Sequence, residues 1–486
     1  MAREVPGDGY LNAPMPHRTQ GKEVCPLPLR EALEFGSSGV PSPVIMRVYA
    51  TWALCSLTAL AATIPQSNEK KAFSLGLKEN ADYRGGDAPA QLYRALAKYG
   101  GYLSPALSRA VGLDSEKGSK FHNYMAQAGD MTGTVVNYPP PLLDIQYVAA
   151  VEIGTPPQEM KLNLDTGSAD LQVPPEPLCI LYAGNPANTQ NSWTFSTRTN
   201  RSQVRNQTQY APEDSMTSKL LEGQAWSIKY GDGASASGVV YTDRVQIGDT
   251  SFDKQAVQAA VQVSSELTTD PFSSGIVGLG FGDGNTVRPT QQKTYIENIK
   301  DDLKEPVFTA NLQKGMPGNY NFGYLNQSEY TGEIGYAPVE RGAAYWKITV
   351  SGYQVGDGEF GDYDWKAIVD TGTSLLLLPE SMVNYYYSKV EGARYERSAD
   401  MMVVPCNATL PDFIFQVGDY NGTVPGHYMN YGERTVGEDC YGGIQVADGI
   451  SFAVLGDVLL KSQFVVFDIG QERVGFAAKD IQPPVG

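Results

Sequence analysis

The sequence reads LNLDTGSADL at residues 162–171 and AIVDTGTSLL at residues 367–376. In each copy an apolar run leads into Asp-Thr-Gly, and a second short run follows it. The two aspartates, Asp165 and Asp370, are 205 residues apart, about the length of one lobe in a duplicated protein. The repeat therefore predicts two homologous lobes that face each other across a cleft.

This pattern suits chemistry that needs two carboxylates side by side. At a strand end, Asp can accept hydrogen bonds from the N–H groups of the following turn, and Gly permits a close approach to a partner. The next Ser or Thr can donate to the outer carboxylate oxygen. Two such turns on a pseudo-twofold axis would bring Asp165 and Asp370 together, where they would share one proton. One carboxylate could then activate a water while the other protonates a carbonyl, which hydrolyses an amide. The alternative is a pair of turn-forming aspartates without chemistry.

The region from about residue 145 onward reads as mainly β-structure of about 340 residues, because short alternating apolar and polar runs are separated by Gly, Asn and Asp turns. The duplication continues here, since Ile276-Val277-Gly278 follows the first motif and Val454-Leu455-Gly456 follows the second. Helical patterns are few in this region, and the best are Thr294–Leu303 and Pro379–Val390.

The amino-acid composition argues against several classes of binding partner and catalytic site. The 486 residues include 54 Asp or Glu and 37 Lys or Arg, a net charge of −17, which disfavours nucleic acid and anionic membranes as partners. The five cysteines form no CxxC pair, and the three histidines are far apart in the sequence. The residues that a zinc site or a Cys/His nucleophile would need are therefore largely missing. We expect no metal and no cofactor.

The N-terminal part resembles a targeting region that begins at residue 46 and not at residue 1. Residues 1–45 are polar and rich in Pro and Gly, which predicts disorder or an extension that arises from a start codon placed too early. From Met46 the pattern is that of a secretory signal peptide, residues 46–62, with Arg47 ahead of an apolar run and a small-x-small site at Ala59–Ala61. A buried helix and an uncleaved signal anchor are the alternatives. The signal predicts an extracellular protein, with the vacuole as the other destination.

Residues 63–130 are interpreted as a propeptide. Residues 66–126 carry nine Lys or Arg and six Asp or Glu, so a basic segment precedes a strongly acidic body. Within it, Gln91–Tyr99 has helical apolar spacing, and Gly100 should end the helix. An ordinary solvated linker explains the charge equally well.

Residues from about 90 to 480 resemble the pepsin family of aspartic peptidases, of the fungal secreted kind. The resemblance implies an all-β, bilobal pepsin-like fold, with an N-terminal lobe at 131–335, a C-terminal lobe at 336–486 and a central cleft. It implies hydrolysis of polypeptide substrates at acidic pH by a monomeric endopeptidase with Asp165 and Asp370 as the catalytic pair. It also implies that the protein's own propeptide is a partner and that the mature form contacts no membrane.

The same resemblance assigns further positions. The residues that would support the two catalytic loops are Thr166, Gly167, Ser168, Thr371, Gly372 and Thr373, with the two threonines at 166 and 371 tying the loops together. The flap that closes over substrate would contain Tyr230, Gly231 and Asp232. Lys98 and Tyr99 would plug the cleft, with the ammonium paired to both aspartates. Cys406 and Cys440 would form a disulfide, which leaves Cys179 without an evident partner.

Two departures from the family pattern concern the cleft. Gln172 stands where a tryptophan is common, and Ala234 replaces a flap serine, so we expect altered specificity without loss of the reaction. Asn-x-Ser/Thr sequons, which predict glycosylation on the secretory route, occur at Asn200, Asn206, Asn326, Asn407 and Asn421.

Two other functions stay open at this level. A pepsin-fold binding or inhibitor protein would have lost catalysis, although such proteins usually lose an Asp, a motif Gly or the flap tyrosine, and all are retained here. A glycosidase could also use two carboxylates. Acid cleavage of a denatured protein, with and without pepstatin, would separate the three.

Overall fold

The computed structural model describes residues 70–79, 88–111, 147–170, 208–229, 235–263, 273–316, 318–434 and 439–481. The chain divides into two compact units, and all these residues belong to the second, which begins at Ser67. The predicted extension and signal peptide lie outside the described residues. None of the helices in the described ranges combines the length and the apolar character that a membrane span requires.

The described residues contain 24 strands and five α-helices. The strands up to the middle of the chain are β1 (Phe73–Gly76), β2 (Lys78–Glu79), β3 (Tyr147–Ile153), β4 (Gln158–Asp165), β5 (Lys219–Lys229), β6 (Ser235–Ile247), β7 (Thr250–Val263), β8 (Ile276–Gly278), β9 (Val307–Asn311), β10 (Asn319–Phe322) and β11 (Thr331–Pro338). The remaining strands are β12 (Lys347–Val355), β13 (Gly361–Val369), β14 (Leu376–Leu378), β15 (Arg394–Glu396), β16 (Met401–Pro405), β17 (Phe413–Val417), β18 (Tyr420–Val424), β19 (Asn430–Glu433), β20 (Asp439–Gly442), β21 (Ile444–Val446), β22 (Ala453–Leu455), β23 (Phe464–Asp468) and β24 (Arg473–Ala478). The helices are α1 (Ala88–Lys98), α2 (Pro105–Ala110), α3 (Tyr295–Ile299), α4 (Glu380–Tyr387) and α5 (Asp457–Leu460).

The first lobe is built on a sheet with the strand order β5-β6-β3-β4-β8, to which β2 and β7 add by pairing with β3 and β6. Alternation decides which face of β4 is inside: Met160, Leu162 and Leu164 are buried, whereas the residues between them are partly exposed. The strand ends at Asp165, which lies opposite Gly278 in a parallel pairing with β8. The first motif is therefore at the end of a central, well-packed strand.

The second lobe repeats this arrangement in a sheet of order β18-β17-β12-β13-β22-β14-β21. Its strand β13 leads to the second motif and pairs in parallel with β22, so that Val369 lies opposite Leu455. A four-stranded sheet, β15-β16-β20-β19, adds to this lobe, and a disulfide joins Cys406, directly after β16, to Cys440 in β20.

A third sheet, β1-β10-β9-β23-β24-β11, draws strands from both halves of the sequence. An aromatic group is packed against it, with Phe308 stacked on Phe467 at 4.7 Å and Trp346 within 5.8 Å of Phe308 and 5.1 Å of Phe467. Apolar burial of this kind is the main stabilising contribution to such a core. The prediction of an all-β, bilobal fold is confirmed.

The predicted helices are present, with shorter ends in two cases. The pattern at Gln91–Tyr99 corresponds to α1, and Gly100 follows it with φ +68°, a conformation that favours glycine. Helix α3 is only five residues long, because turns follow it immediately. Helix α4 likewise covers only the middle of the pattern from Pro379 to Val390. Strand β1 was not predicted, since four residues are too few to show a period.

Candidate active site

The two motif aspartates lie side by side at the boundary between the lobes. Asp165 and Asp370 are 2% and 0% exposed. Each accepts a hydrogen bond at Oδ1 from the N–H two residues on, from Gly167 at 2.9 Å and Gly372 at 2.8 Å. A Cβ added to Gly167 would collide with the Asp370 carboxyl, and one added to Gly372 with the Asp165 carboxyl. Each glycine therefore makes room for the carboxylate of the other loop.

Thr166 and Thr371 link the loops beneath the carboxylates. The Thr166 hydroxyl donates to the Val369 carbonyl at 2.9 Å, and the Thr371 hydroxyl donates to the Leu164 carbonyl at 2.6 Å. Both hydroxyls are buried, and each bonds to the strand that precedes the opposite aspartate. Displacing one loop relative to the other would leave these buried groups unpaired, so the geometry of the aspartates is held firmly.

A lysine from the N-terminal segment lies between the two carboxylates. The Nζ atom of Lys98, the last residue of α1, is 2.8 Å from Asp165 Oδ1 and 3.0 Å from both carboxylate oxygens of Asp370. The next residue, Tyr99, donates its hydroxyl to Asp370 Oδ2 at 2.7 Å. The predicted contact between the Lys98-Tyr99 pair and the two aspartates is thus present.

The surroundings shift the pKa values of the two carboxyl groups in opposite directions. Burial raises the pKa of Asp165 above its ordinary value, against the lowering effect of the Lys98 ammonium. Burial also acts on Asp370, but Lys98 and hydrogen bonds from Thr373 and Tyr99 outweigh it and lower the pKa of this carboxyl. The pair titrates as one coupled unit, in which the Asp370 environment favours the charged form.

Ser168 and Thr373, which follow the two Asp-Thr-Gly motifs, form different hydrogen bonds. Thr373 donates its hydroxyl to Asp370 Oδ2, as the sequence predicted. Ser168 does not make the corresponding bond to the Asp165 carboxylate; it donates to the main-chain carbonyl of Asp165 at 3.4 Å. The prediction for Ser168 is therefore wrong: the Asp165 carboxylate accepts at Oδ1 from Lys98 and from the Gly167 N–H, while the Ser168 hydroxyl bonds to the main chain.

An aromatic slot beside the aspartates was not predicted. The Tyr99 ring meets Tyr345 and Phe452 edge to face, with 5.6 Å between ring centroids in both contacts. Further along, the Tyr102 N–H donates to the Asp448 carbonyl at 2.9 Å. No local pattern could have predicted this slot, because residues 99, 345 and 452 lie far apart in the sequence.

A third buried carboxylate follows the first motif. Asp170 is 1% exposed, and its Oδ1 accepts hydrogen bonds from the Thr286 N–H at 2.9 Å and from Asn285 Nδ2 at 2.5 Å. Burial raises the pKa of Asp170 to about 7, despite these bonds. Its hydrogen bonds connect the first loop to residues 285 and 286, which gives Asp170 a structural role.

Several predicted residues lie outside the described part of the chain. These are the flap residues Tyr230, Gly231 and Asp232, together with Gln172, Cys179, Asn200, Asn206 and Ala234. The strands on either side of the flap segment are paired, with Lys229 opposite Ser235. Among the described residues, no three His, Cys, Asp or Glu side chains converge as metal ligands would.

The remaining predictions concern the second half of the chain. Cys406 and Cys440 form a disulfide with an S–S distance of 2.03 Å, which confirms that pairing. Asn407 and Asn421 are exposed, whereas Asn326 is partly buried and donates to Glu329 at 2.9 Å.

Comparison with known proteins gives a consistent picture. The sequence model of the family described as eukaryotic aspartyl protease matches residues 146–479. Endothiapepsin of Cryphonectria parasitica is 39% identical over 449 residues, which cover 91% of this chain and 100% of that protein. Podosporapepsin of Podospora anserina is 41% identical, covering 83% of this chain and 91% of its own length. Penicillopepsin-1 of Talaromyces stipitatus is 39% identical over 87% of this chain and 97% of its own.

Proposed function

Because this chain belongs to the eukaryotic aspartyl protease family and is an aspartic-type endopeptidase that acts on polypeptides, we propose that Asp165 and Asp370 are its catalytic pair. The observation that carries the assignment is the single Lys98 ammonium within hydrogen-bond distance of both carboxylates. Two carboxylates that share one cation are also close enough to share one water. No second function is favoured by a specific observation.

The proposed reaction uses the pair as base and acid. With Lys98 gone, the two carboxyl groups hold one proton between them, because like charges this close do not both ionise. The ionised carboxylate takes a proton from a water, whose oxygen attacks the scissile carbonyl carbon, while the protonated partner gives its proton to the carbonyl oxygen. The carboxyl that took the water's proton then gives it to the nitrogen as the C–N bond of the tetrahedral intermediate breaks. The other carboxylate takes a proton from a hydroxyl of the intermediate as that hydroxyl becomes the new carbonyl, so both carboxyls return to their starting state.

Residues 63–130 are proposed to be an inhibitory propeptide. The Lys98 ammonium occupies the position between the carboxylates that an attacking water would need, and Tyr99 fills the adjoining slot. Both carboxylates raise the pKa of Lys98 in spite of its burial, so this lysine stays charged at every relevant pH. Acid would therefore release the segment by protonating the aspartates, whose charge holds it.

The other assignments follow from the same reading. The protein is proposed to be a monomer that is secreted through a signal peptide at 46–62, with the vacuole as the alternative destination. Glycans would be attached at the exposed Asn407 and Asn421. Tyr230 would lie in a flap hairpin that continues β5 and β6 and closes over an extended substrate.

The test is acid processing of the full precursor. After incubation at about pH 3–4, it should cleave a denatured protein, and pepstatin should block the cleavage. A folded and processed sample that cleaves nothing would overturn the proposal. Replacement of either aspartate by Asn is the matched control, because it changes one carboxyl to an amide of the same shape.

A further inference from the structure

A buried hydroxyl group without a hydrogen-bond partner lies beside the two aspartates. Tyr345 is 8% exposed, and among the described residues its Oη contacts no donor or acceptor. Burial, and then the negative charges of Asp370 and Asp165, raise the pKa of Tyr345, so the hydroxyl stays protonated and able to donate. Leaving such a buried group unpaired costs free energy of folding. In a cleft, this cost indicates a partner that arrives with the ligand.

The backbone at Tyr345 is held in place by its neighbour Trp346. The Trp346 indole donates to the Leu279 carbonyl of the first lobe at 2.8 Å. Its main-chain carbonyl accepts from the Val369 N–H at 3.0 Å, directly before Asp370. Tyr345 is thus fixed relative to both lobes and to the catalytic pair, which is required of a residue that determines substrate specificity.

The occupant of the slot in this state leaves that hydroxyl unused. The Tyr99 ring lies against Tyr345 and Phe452, but the Tyr99 hydroxyl is directed to Asp370. We propose that Tyr345 is a specificity-determining residue, whose hydroxyl bonds to a polar atom at the tip of a substrate side chain that replaces Tyr99. The inference rests on the proposed function, because it requires that the segment carrying Tyr99 leaves.

The walls of the slot define the class of side chain. Phe452 and the Tyr345 ring are apolar surfaces that accept an aromatic or aliphatic body, as Tyr99 demonstrates. On Phe452, the Lys347 ammonium lies 5.5 Å from the ring centroid and is paired with Glu340 at 2.9 Å, so the wall carries no net charge. The preferred substrate side chain is therefore neutral, with an apolar body and a hydroxyl or amide tip.

The experiment uses peptides in pairs that match in shape and differ in polarity: Tyr with Phe, Thr with Val and Asn with Leu. Each pair is placed at each of the two positions that flank the scissile bond, and kcat/KM is measured for the acid-activated enzyme. In Tyr345→Phe the ring is kept and the hydroxyl is lost. We expect the polar-to-apolar ratio of kcat/KM to fall about tenfold at one of the two positions. The control is Tyr387→Phe, whose hydroxyl bonds to the Ile444 carbonyl at 2.8 Å in the second lobe and should leave the ratio unchanged.

Three results would overturn the inference. If the polar-to-apolar ratio of kcat/KM is unchanged at both positions, the Tyr345 hydroxyl does not bond to the substrate side chain. If kcat/KM falls equally for both members of every pair, the hydroxyl contacts the substrate main chain. The same change in Tyr387→Phe would make the effect structural. A wild-type enzyme that cleaves none of the peptides and no denatured protein would instead refute the proposed function, and this inference with it.

Discussion

Thr166 and Thr371 hold each other across the two lobes, because the hydroxyl of each accepts a hydrogen bond from the backbone N–H of the other. The two distances are 3.0 Å and 3.2 Å. This reciprocal pair lies one residue beyond each aspartate, so Asp165 and Asp370 are positioned relative to each other rather than to their own lobes alone. Preorganisation of this kind removes a reorganisation cost from the reaction.

The first prediction concerns the catalytic pair. We expect Asp165→Asn and Asp370→Asn each to lower kcat/KM by at least about 10²–10⁴-fold, since an amide can neither accept nor return the proton. Because Asn has the shape of Asp, circular dichroism of the two variant precursors should match that of the wild type. Asp362→Asn, at an exposed position, is the control and should retain activity. Turnover retained by either cleft variant would mean that the reaction uses other residues.

The second prediction concerns the contact between Lys98 and the aspartates. In Lys98→Met the two carboxylates lose their shared cation, so the N-terminal segment should bind less tightly, and the precursor should mature at a higher pH than the wild type. Conversion of the precursor is followed by gel electrophoresis across a pH series. Lys98→Arg retains the charge and should behave more like the wild type. An unchanged pH profile in Lys98→Met would remove the lysine from the inhibitory contact.

The third prediction concerns a close backbone approach after α1. A Cβ on Gly101 would lie 2.6 Å from the Asp448 carbonyl oxygen and 3.0 Å from Ile450 Cγ1. Gly101→Ala should therefore weaken the docking of the segment, by about 1–3 kcal/mol as in other overpacked contacts, and speed maturation. The released enzyme should have wild-type kcat/KM, since residue 101 belongs to the proposed propeptide. Slower maturation would contradict the idea that this contact holds the segment.

The fourth prediction is a pH dependence of stability that arises from Asp170. Burial raises its pKa from 3.8 to about 7, so the charged form destabilises the folded state. This penalty is absent below about pH 4, grows as the pH rises towards 7 and is constant above it, at most about 4 kcal/mol. Asp170→Asn should thus gain stability relative to the wild type as the pH rises from about 4 to 7.

The measurement is urea unfolding of the two precursors at several pH values in that range. Asp253→Asn, at an exposed position, is the control that replaces a carboxylate outside the core. A difference between Asp170→Asn and the wild type that does not change with pH would show that the Asp170 carboxyl is ionised at no cost to the fold.

The fifth prediction concerns the disulfide. The Cys406–Cys440 bond joins residues 34 apart, and closing a loop of this length stabilises a fold by about 3–4 kcal/mol through the entropy of the unfolded chain. The double replacement by Ser should lower the free energy of unfolding by that amount, as measured in guanidinium. Wild-type protein unfolded under reducing conditions should give a similar value. A loss below about 0.5 kcal/mol would argue against this contribution.

Prediction from sequence worked where the signal was local. The ends of β4 and β13, the helix before Gly100 and the repeated Asp-Thr-Gly are written in consecutive residues, whose alternation, spacing and turn chemistry act over a few positions. It failed for Ser168, because the hydroxyl can reach two acceptors on Asp165, and the local pattern does not tell the carboxylate from the main-chain carbonyl that it bonds to. It also failed for β1, whose conformation depends on pairing with β10 more than 240 residues away.

The sequence by itself determined that two acidic turns occur in matching strand contexts, and hence which residues could carry the chemistry. Only the tertiary structure decided that one lysine lies between them, that Tyr99 fills a slot between Tyr345 and Phe452, and that the Tyr345 hydroxyl has no hydrogen-bond partner in the described part of the chain. The physical reason is that hydrogen-bond satisfaction and ring contacts depend on distances between residues remote in the chain, which no local pattern encodes.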